Sequence, residues 1–269
     1  MTETSNPYQP PEADIEPPRP EGAAGQLLDP PNACSAARGG SWIARGWGLL
    51  QAGMGPFIGM FLISGLILMA IGMIPLLGMA SGLLMPFFFA GWVVACERVR
   101  TEGNARFEDL FAGFSSHFAP LAIAALIYLA ANVVATLIAI LVMSVMIGSA
   151  AVITGGFDPN AVNGPPVQFM LSLLLGMLIY FAITLPVMML IWFAPHLIVL
   201  HDQAPIDAMK MSFQGCLRNI IPFLVYSVIA IGLFLFGLIP LGLGLLIVIP
   251  WLTCANYIAY REIYIGDVD

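Results

Sequence analysis

From Phe57 to Cys96 the chain runs 40 residues without one charged side chain. One helix of that length would extend ~60 Å, twice the ~30 Å hydrocarbon core of a bilayer. Two spans of ~18 residues joined by a tight turn fit instead. Pro75 and Gly78 mark the turn, and Glu97, Arg98 and Arg100 stop the second span. The rest of the chain is of the same kind. Of 269 residues, 59% are hydrophobic and 9% charged, with mean hydropathy +0.92, whereas a soluble domain carries about 25% charged residues. A soluble globular fold is excluded on that ground.

The net charge of −7 is concentrated at one end, because six of the sixteen acids lie in the N-terminal tail. That balance gives no basic surface for nucleic acid, so no nucleic-acid partner is expected. Residues 1–40 hold eight prolines and few large apolar residues. Such a segment buries too little to offset its ordering entropy and is read as a disordered, acidic, cytosolic tail without a cleavable signal. Its opening, Asn6-Pro7-Tyr8-Gln9-Pro10-Pro11, is a candidate docking peptide for a protein partner; a plain solvated leader is the alternative.

The membrane domain is assigned to residues 41–264, followed by a short acidic tail at 265–269. Three amphipathic segments punctuate it. In the first, Ile43, Trp47, Leu50 and Met54 form an apolar stripe with Arg45 opposite. In the second, Phe107, Leu110, Phe111, Phe114 and Phe118 oppose Arg106, Glu108 and Asp109. In the third, Ile206, Met209, Phe213, Cys216, Leu217 and Ile220 oppose Asp207, Lys210 and Arg218. Apolar steps of three and four with a polar opposite face describe helices lying in the membrane interface. The glycines of the first (Gly46, Gly48, Gly53) weaken it, so membrane contact is expected to hold it. Further spans are expected from Pro120 to about Gly148, over Val167–Leu200 with kinks at Pro186 and Pro195, over Phe223–Ile239 and over Leu241–Tyr260.

The prolines repeat. Pro56, Pro75 and Pro86 are spaced 19 and 11 with Glu97-Arg98 beyond; Pro222, Pro240 and Pro250 are spaced 18 and 10 with Arg261-Glu262 beyond. The expected fold is therefore an all-α integral membrane protein of six transmembrane helices in three hairpins, each preceded by a cytosolic interfacial helix. None of the nine Lys and Arg falls at a hairpin tip. The positive-inside rule then puts both termini in the cytoplasm.

Chemistry is sparse. No GxSxG, Walker A, HExxH or GxGxxG motif occurs, so no enzyme, metal or cofactor is expected. Asn132 is the deepest polar candidate, with Tyr128 one turn earlier and Thr184 on another span; it serves either as an interhelical hydrogen bond or as part of a path. Arg45, Arg106, Lys210 and Arg218 are candidates for anionic headgroups on the cytosolic side. Asp202 is a candidate to cap the third interfacial helix or pair with a base there. Cys34, Cys96, Cys216 and Cys254 show no CxxC spacing and are read as free thiols.

The residues Trp192-Phe193-Ala194-Pro195, Leu200-His201-Asp202, Ala208-Met209-Lys210, Ser212-Phe213, Cys216, Asn219 and Pro222-Phe223 resemble a family of proteobacterial multi-spanning membrane proteins with no assigned activity. More distantly they resemble the membrane domain attached to some glycerophosphoryl diester phosphodiesterases. The resemblance implies a bacterial inner membrane; the phosphodiesterase catalytic domain is absent, so its activity is not carried over. Two readings stay open. The first is a non-enzymatic scaffold or envelope-associated partner, with helices packed solid along Gly65, Gly72, Gly78 and Gly82. The second is a permease or lipid-handling protein with a path between the hairpins, marked by a cavity reaching Asn132 and lined by Tyr128 and Thr184.

Overall fold

The computed structural model describes residues 25–74, 81–115, 117–153 and 167–267. Among them the regular structure is helical. A short helix, α1 (Arg38–Ala52), leads into α2 (Met54–Gly72), and α3 (Met85–Glu102) follows. A 3-10 helix (Phe107–Phe114) then leads into α4 (Phe118–Ile153), α5 (Val167–Ile191) and a short α6 (Ala194–His201). Finally α7 (Pro205–Arg218) leads into α8 (Ile220–Leu238) and α9 (Leu245–Tyr264). Pro75, Gly78 and the Gly/Pro-rich segment around Asp158 lie outside the described residues.

Among the described residues, four segments are long and apolar enough to cross a membrane: Met54–Gly72, Phe118–Val145, Leu173–His201 and Ile220–Leu238. The two remaining segments expected as spans, α3 and α9, are largely buried among the other helices. Phe87, Ala90, Val93 and Cys96 of α3 are buried, as are Cys254, Ala255, Tyr257 and Tyr260 of α9. A helix surrounded by protein does not need an unbroken apolar surface, and both carry polar groups in their last turns: Glu97, Arg98 and Arg100 in α3, Arg261 and Glu262 in α9. Pro186 is accommodated within α5. Pro195 does break the chain, since α5 stops at Ile191 and Pro195 sits in the first turn of α6, where its missing N–H costs nothing.

The amphipathic segments pack differently from the expectation. Trp42 and Leu50 of α1 are fully buried, and α1 lies along α9. Gly46 permits this approach: a Cβ there would stand 2.6 Å from Ala255 Cα. Protein contact, not membrane contact, therefore holds α1. The second segment is a 3-10 helix that buries Asp109, Leu110 and Gly113 and leaves Phe107, in its first turn, and Phe111 exposed. In α7 the buried face is made of small and soft residues (Ala208, Met209, Ser212, Gly215, Cys216), while Ile206 and Leu217 point outward.

One packing rule recurs. A shorter helix braces each end: α3 rests on the 3-10 helix that follows it, α6 on α7, and α9 on the first helix, α1. Residues 25–37 reinforce the last contact. Leu28 N donates to Tyr264 O and Asn32 N to Ile263 O, each at 2.7 Å, and Asn219 accepts from Cys34 N and donates to Asn32 O, each at 2.8 Å. The disordered tail read over 1–40 thus does not extend across 25–40. Residues 1–24, with the Asn6–Pro11 motif, lie outside the described residues.

Candidate functional site: a buried charged layer and an apolar cavity

The last turns of α3 and α9 build a layer of ion pairs. Glu262, 2% exposed, accepts Arg38 Nε at 2.6 Å, Arg45 at 3.2 Å and Trp42 Nε1 at 3.1 Å. Glu97 pairs with Arg100, lies 3.7 Å from Arg261 and accepts from the Tyr257 hydroxyl. Asp267 pairs with Arg261 as well. Arg98 makes a two-pronged contact with buried Asp109 at 2.9–3.0 Å, and Asp109 also accepts from Arg106 N. Each of these buried carboxylates is met by at least one arginine and by a further hydrogen bond.

Cys34 stands at the edge of this layer. Burial, and then the charge of Glu262, push its thiol up to about 12. Burial alone pushes Cys216 up to about 12. Cys96 and Cys254 meet between α3 and α9 with their sulfurs 4.0 Å apart. All four cysteines are free thiols.

Beside the layer lies a cavity of about 780 Å³, within the ~300–1,000 Å³ range of small-molecule sites. It is walled by Met85 and Phe89 of α3, Tyr128 of α4, Trp192 and Pro195 at the α5–α6 break, Tyr226 and Ala230 of α8, and Leu252 and Asn256 of α9. None of the residues lining it is charged. A second cavity of about 230 Å³ shares Trp192 and Ser227 with the first, so those two side chains form the partition.

The polar groups of the residues that line the cavity divide into satisfied and unsatisfied. Tyr226 donates to Leu252 O at 2.9 Å and Thr253 to Ile249 O at 3.0 Å. Trp192 Nε1 and Asn256 Oδ1 are shielded from solvent and have no hydrogen-bond partner among the described residues. Behind the wall, His196 is 1% exposed, stacks on Tyr260 at 4.8 Å and likewise leaves both ring nitrogens unpartnered. A buried polar group without a partner costs ~1–3 kcal/mol.

Of the residues singled out from the sequence, Tyr128 lines the cavity; Asn132 and Thr184 are not among its lining residues. Asn132 is half-buried, and Thr184 donates to Tyr180 O of its own helix at 2.9 Å. Asp202 does not cap α7, whose N-cap is Ala204 without a side-chain bond. It ends α6 in the left-handed conformation and lies 3.0 Å from His117 Nε2. Arg45 is engaged by Glu262, Arg106 reaches Glu102 and Glu108, and Lys210 reaches Asp207 at 3.2 Å. Arg218, on the exposed side of α7, donates to Pro31 O at 3.1 Å. In the sequence Trp192 stands out only within the Trp192-Phe193-Ala194-Pro195 motif, and Asn256, five residues before Arg261, carries no signal of its own.

No solved structure matches this chain. It is 28% identical over 246 residues to the protein named probable inner membrane protein BTH_II0599 of Burkholderia thailandensis, covering 84% of this chain and 91% of that protein. The helical membrane architecture, with its long apolar helices, accords with that name. Residues 23–260 match the family described as domain of unknown function (DUF7847), and the chain belongs to that family.

Proposed function

We propose that this protein is a non-catalytic, lipid-handling protein of the bacterial inner membrane, holding the apolar part of a lipid in the cavity between its helices. The observation that carries this is the cavity of about 780 Å³, uncharged and walled by α3, α4, α8, α9 and the α5–α6 break. The scaffold reading asked for helices packed solid along small residues. At Gly65, Gly72 and Gly82 a Cβ would meet nothing within 4 Å, and Gly78 lies outside the described residues. The cavity has Tyr128 on its wall as the path reading required, though displaced from Asn132 toward Trp192 and Asn256.

The six-span arrangement with both termini cytoplasmic belongs to this proposal, with α3 and α9 as inner members of their hairpins and the charged layer at the cytosolic face. Lys210 and Arg106, both exposed, remain the best placed to meet anionic headgroups; a protein partner for the N-terminal tail stays a separate proposal. Likeness to the phosphodiesterase-linked membrane domain is proposed for architecture alone. A periplasm-dependent reporter should be active when fused within residues 155–164 and silent after Asp269; the reverse pattern ends the topology. For the function, the full chain and a cavity-filling Ala230→Trp variant are purified in native nanodiscs and their lipids quantified. Wild type should retain one lipid class that the variant lacks. Identical lipid profiles from two equally folded proteins would overturn the proposal.

A further inference from the structure

We propose that the seam between α5 and α8 is the entrance of the large cavity, through which an acyl chain slides in sideways from the cytosolic leaflet, past Trp192 and Ser227, while its head group stays outside. This rests on the lipid-handling reading and deepens it by giving the route and the part of the lipid that is taken.

The small cavity of about 230 Å³ makes the seam a passage. Along α5 and just past its end it is lined by Leu185, Met188, Met189 and Trp192. Along α8 it is lined by Ile220, Phe223, Leu224 and Ser227. Both sets run at positions i, i+3, i+4 and i+7, so each is one lengthwise face of its helix. The main packing of these helices lies elsewhere: α5 rests on α4 and α7, and α8 on α1 and α9. Leu185, Met188, Ile220 and Leu224 are exposed, so the seam is open along its outer edge. The last member of each set, Trp192 and Ser227, also lines the large cavity. The seam therefore leads inward, and these two residues are its threshold.

Its position decides what enters. Both helices belong to segments long and apolar enough to cross a membrane, so the medium along the seam is hydrocarbon chain. The seam takes up about 10 Å of each helix, at the end nearest the charged layer: Gly39 of α1, next to Arg38, packs on the backbone of Pro222. That end faces the cytosolic leaflet in the proposed topology. Neither cavity is lined by a charged residue, and a phosphate or ammonium drawn inside would lose its hydration without a partner. The head group therefore stays at the interface and the chain alone enters. Trp192 offers it ring carbons, because its Nε1 is shielded from solvent, and its ring lies against Phe223 with centroids 6.4 Å apart. On the two facing helices Ser227 is the one small side chain of the seam, so a large residue there closes the threshold.

The test uses the full chain in preformed phosphatidylcholine nanodiscs, to which a phosphatidylcholine with a photoreactive diazirine at the end of one acyl chain is added afterwards. Peptide mass spectrometry after illumination reads where the chain reached, and thermal unfolding checks each variant's fold. Wild type should be labelled in the seam, at Met188 and Leu224, and on the wall of the large cavity, at Phe89 and Leu252. Ser227→Trp should keep the seam labels and lose those at Phe89 and Leu252. Met188→Trp, at an exposed site on the outer edge, should reduce the inner labels too, and it decides alone if Ser227→Trp does not fold. Inner labels unchanged in a folded variant would mean that chains arrive by another route, which overturns the entrance and leaves lipid handling intact. Inner labels without seam labels in wild type would show a protein surface, such as a second copy, seated on the seam, and overturn the entrance as well. A folded wild type without inner labels overturns both.

Discussion

The inner pair α3 and α9 and the outer pair α4 and α5 are built on opposite rules. The outer pair packs extensively on itself yet turns Leu126, Leu137, Leu141, Leu174 and Phe181 outward, each more than half exposed. The inner pair buries Cys96, Cys254, Tyr257 and Tyr260 completely, with Glu97, Arg261 and Glu262 beside them nearly so. In water the apolar helix would be inside and the polar one outside. In hydrocarbon an exposed leucine loses nothing, whereas a carboxylate must be enclosed with its partners. Hydropathy here marks the wall of the protein, and charge marks its interior.

Substitutions can break that contrast. The largest effect is expected from Glu262→Ala, which removes the buried carboxylate that Arg38, Arg45 and Trp42 share. Stability should fall by ~3–5 kcal/mol, measured by denaturant titration of the purified protein; a change under 1 kcal/mol would mean the layer is ornamental. Leu197→Ala, at a fully buried site, should cost ~2–4 kcal/mol through the cavity it leaves. Gly46→Ala drives a methyl toward Ala255 and should cost ~1–3 kcal/mol, with loosening of α1 read by hydrogen exchange. A smaller effect concerns pH. Because the folded state raises the Cys34 thiol to about 12, that contribution is fully present below the unfolded thiol's ~8.5 and is lost as pH climbs toward 12. Cys34→Ser should flatten the decline in unfolding temperature between pH 9 and 11; an unchanged slope would assign the decline to other groups. The smallest effect belongs to the outer pair. Leu141→Ala, 65% exposed, should stay within ~0.5 kcal/mol, and a loss as large as at Leu197 would show that this face is covered.

Periodicity and charge made the helices legible from sequence, because apolar runs bounded by Arg, Glu and Pro leave few alternatives. They also gave the order of short and long helices. Which faces pair with which was not legible. The apolar stripe of α1 looks the same whether it meets lipid or Ala255, and only tertiary contact reveals that Gly46 is a point of approach rather than a weakness. The 3-10 form of Phe107–Phe114 escaped for a related reason. Over eight residues the periods 3.0 and 3.6 differ by less than half a turn, and the fit against Gly91, where a Cβ would stand 2.3 Å from Leu110 O, decides between them. Asn132 drew attention by its depth in a long apolar helix, while Asn256 hid beside Arg261 and Glu262. Unsatisfied hydrogen-bonding capacity is a property of three-dimensional neighbours and leaves no trace in spacing.

The contact of α9 with α1 carries a consequence for how the chain is made. Ribosomes deliver Arg38, Trp42 and Arg45 long before Glu262, and their shared partner is more than 200 residues away. Until the end of α9 emerges, the first helix has neither the carboxylate nor the backbone carbonyls of Ile263 and Tyr264 that anchor the preceding strap. The first helix must therefore wait, and it closes only once the end of α9 has emerged. A chain cut just before Arg261 would contain every apolar span and still lack its clasp.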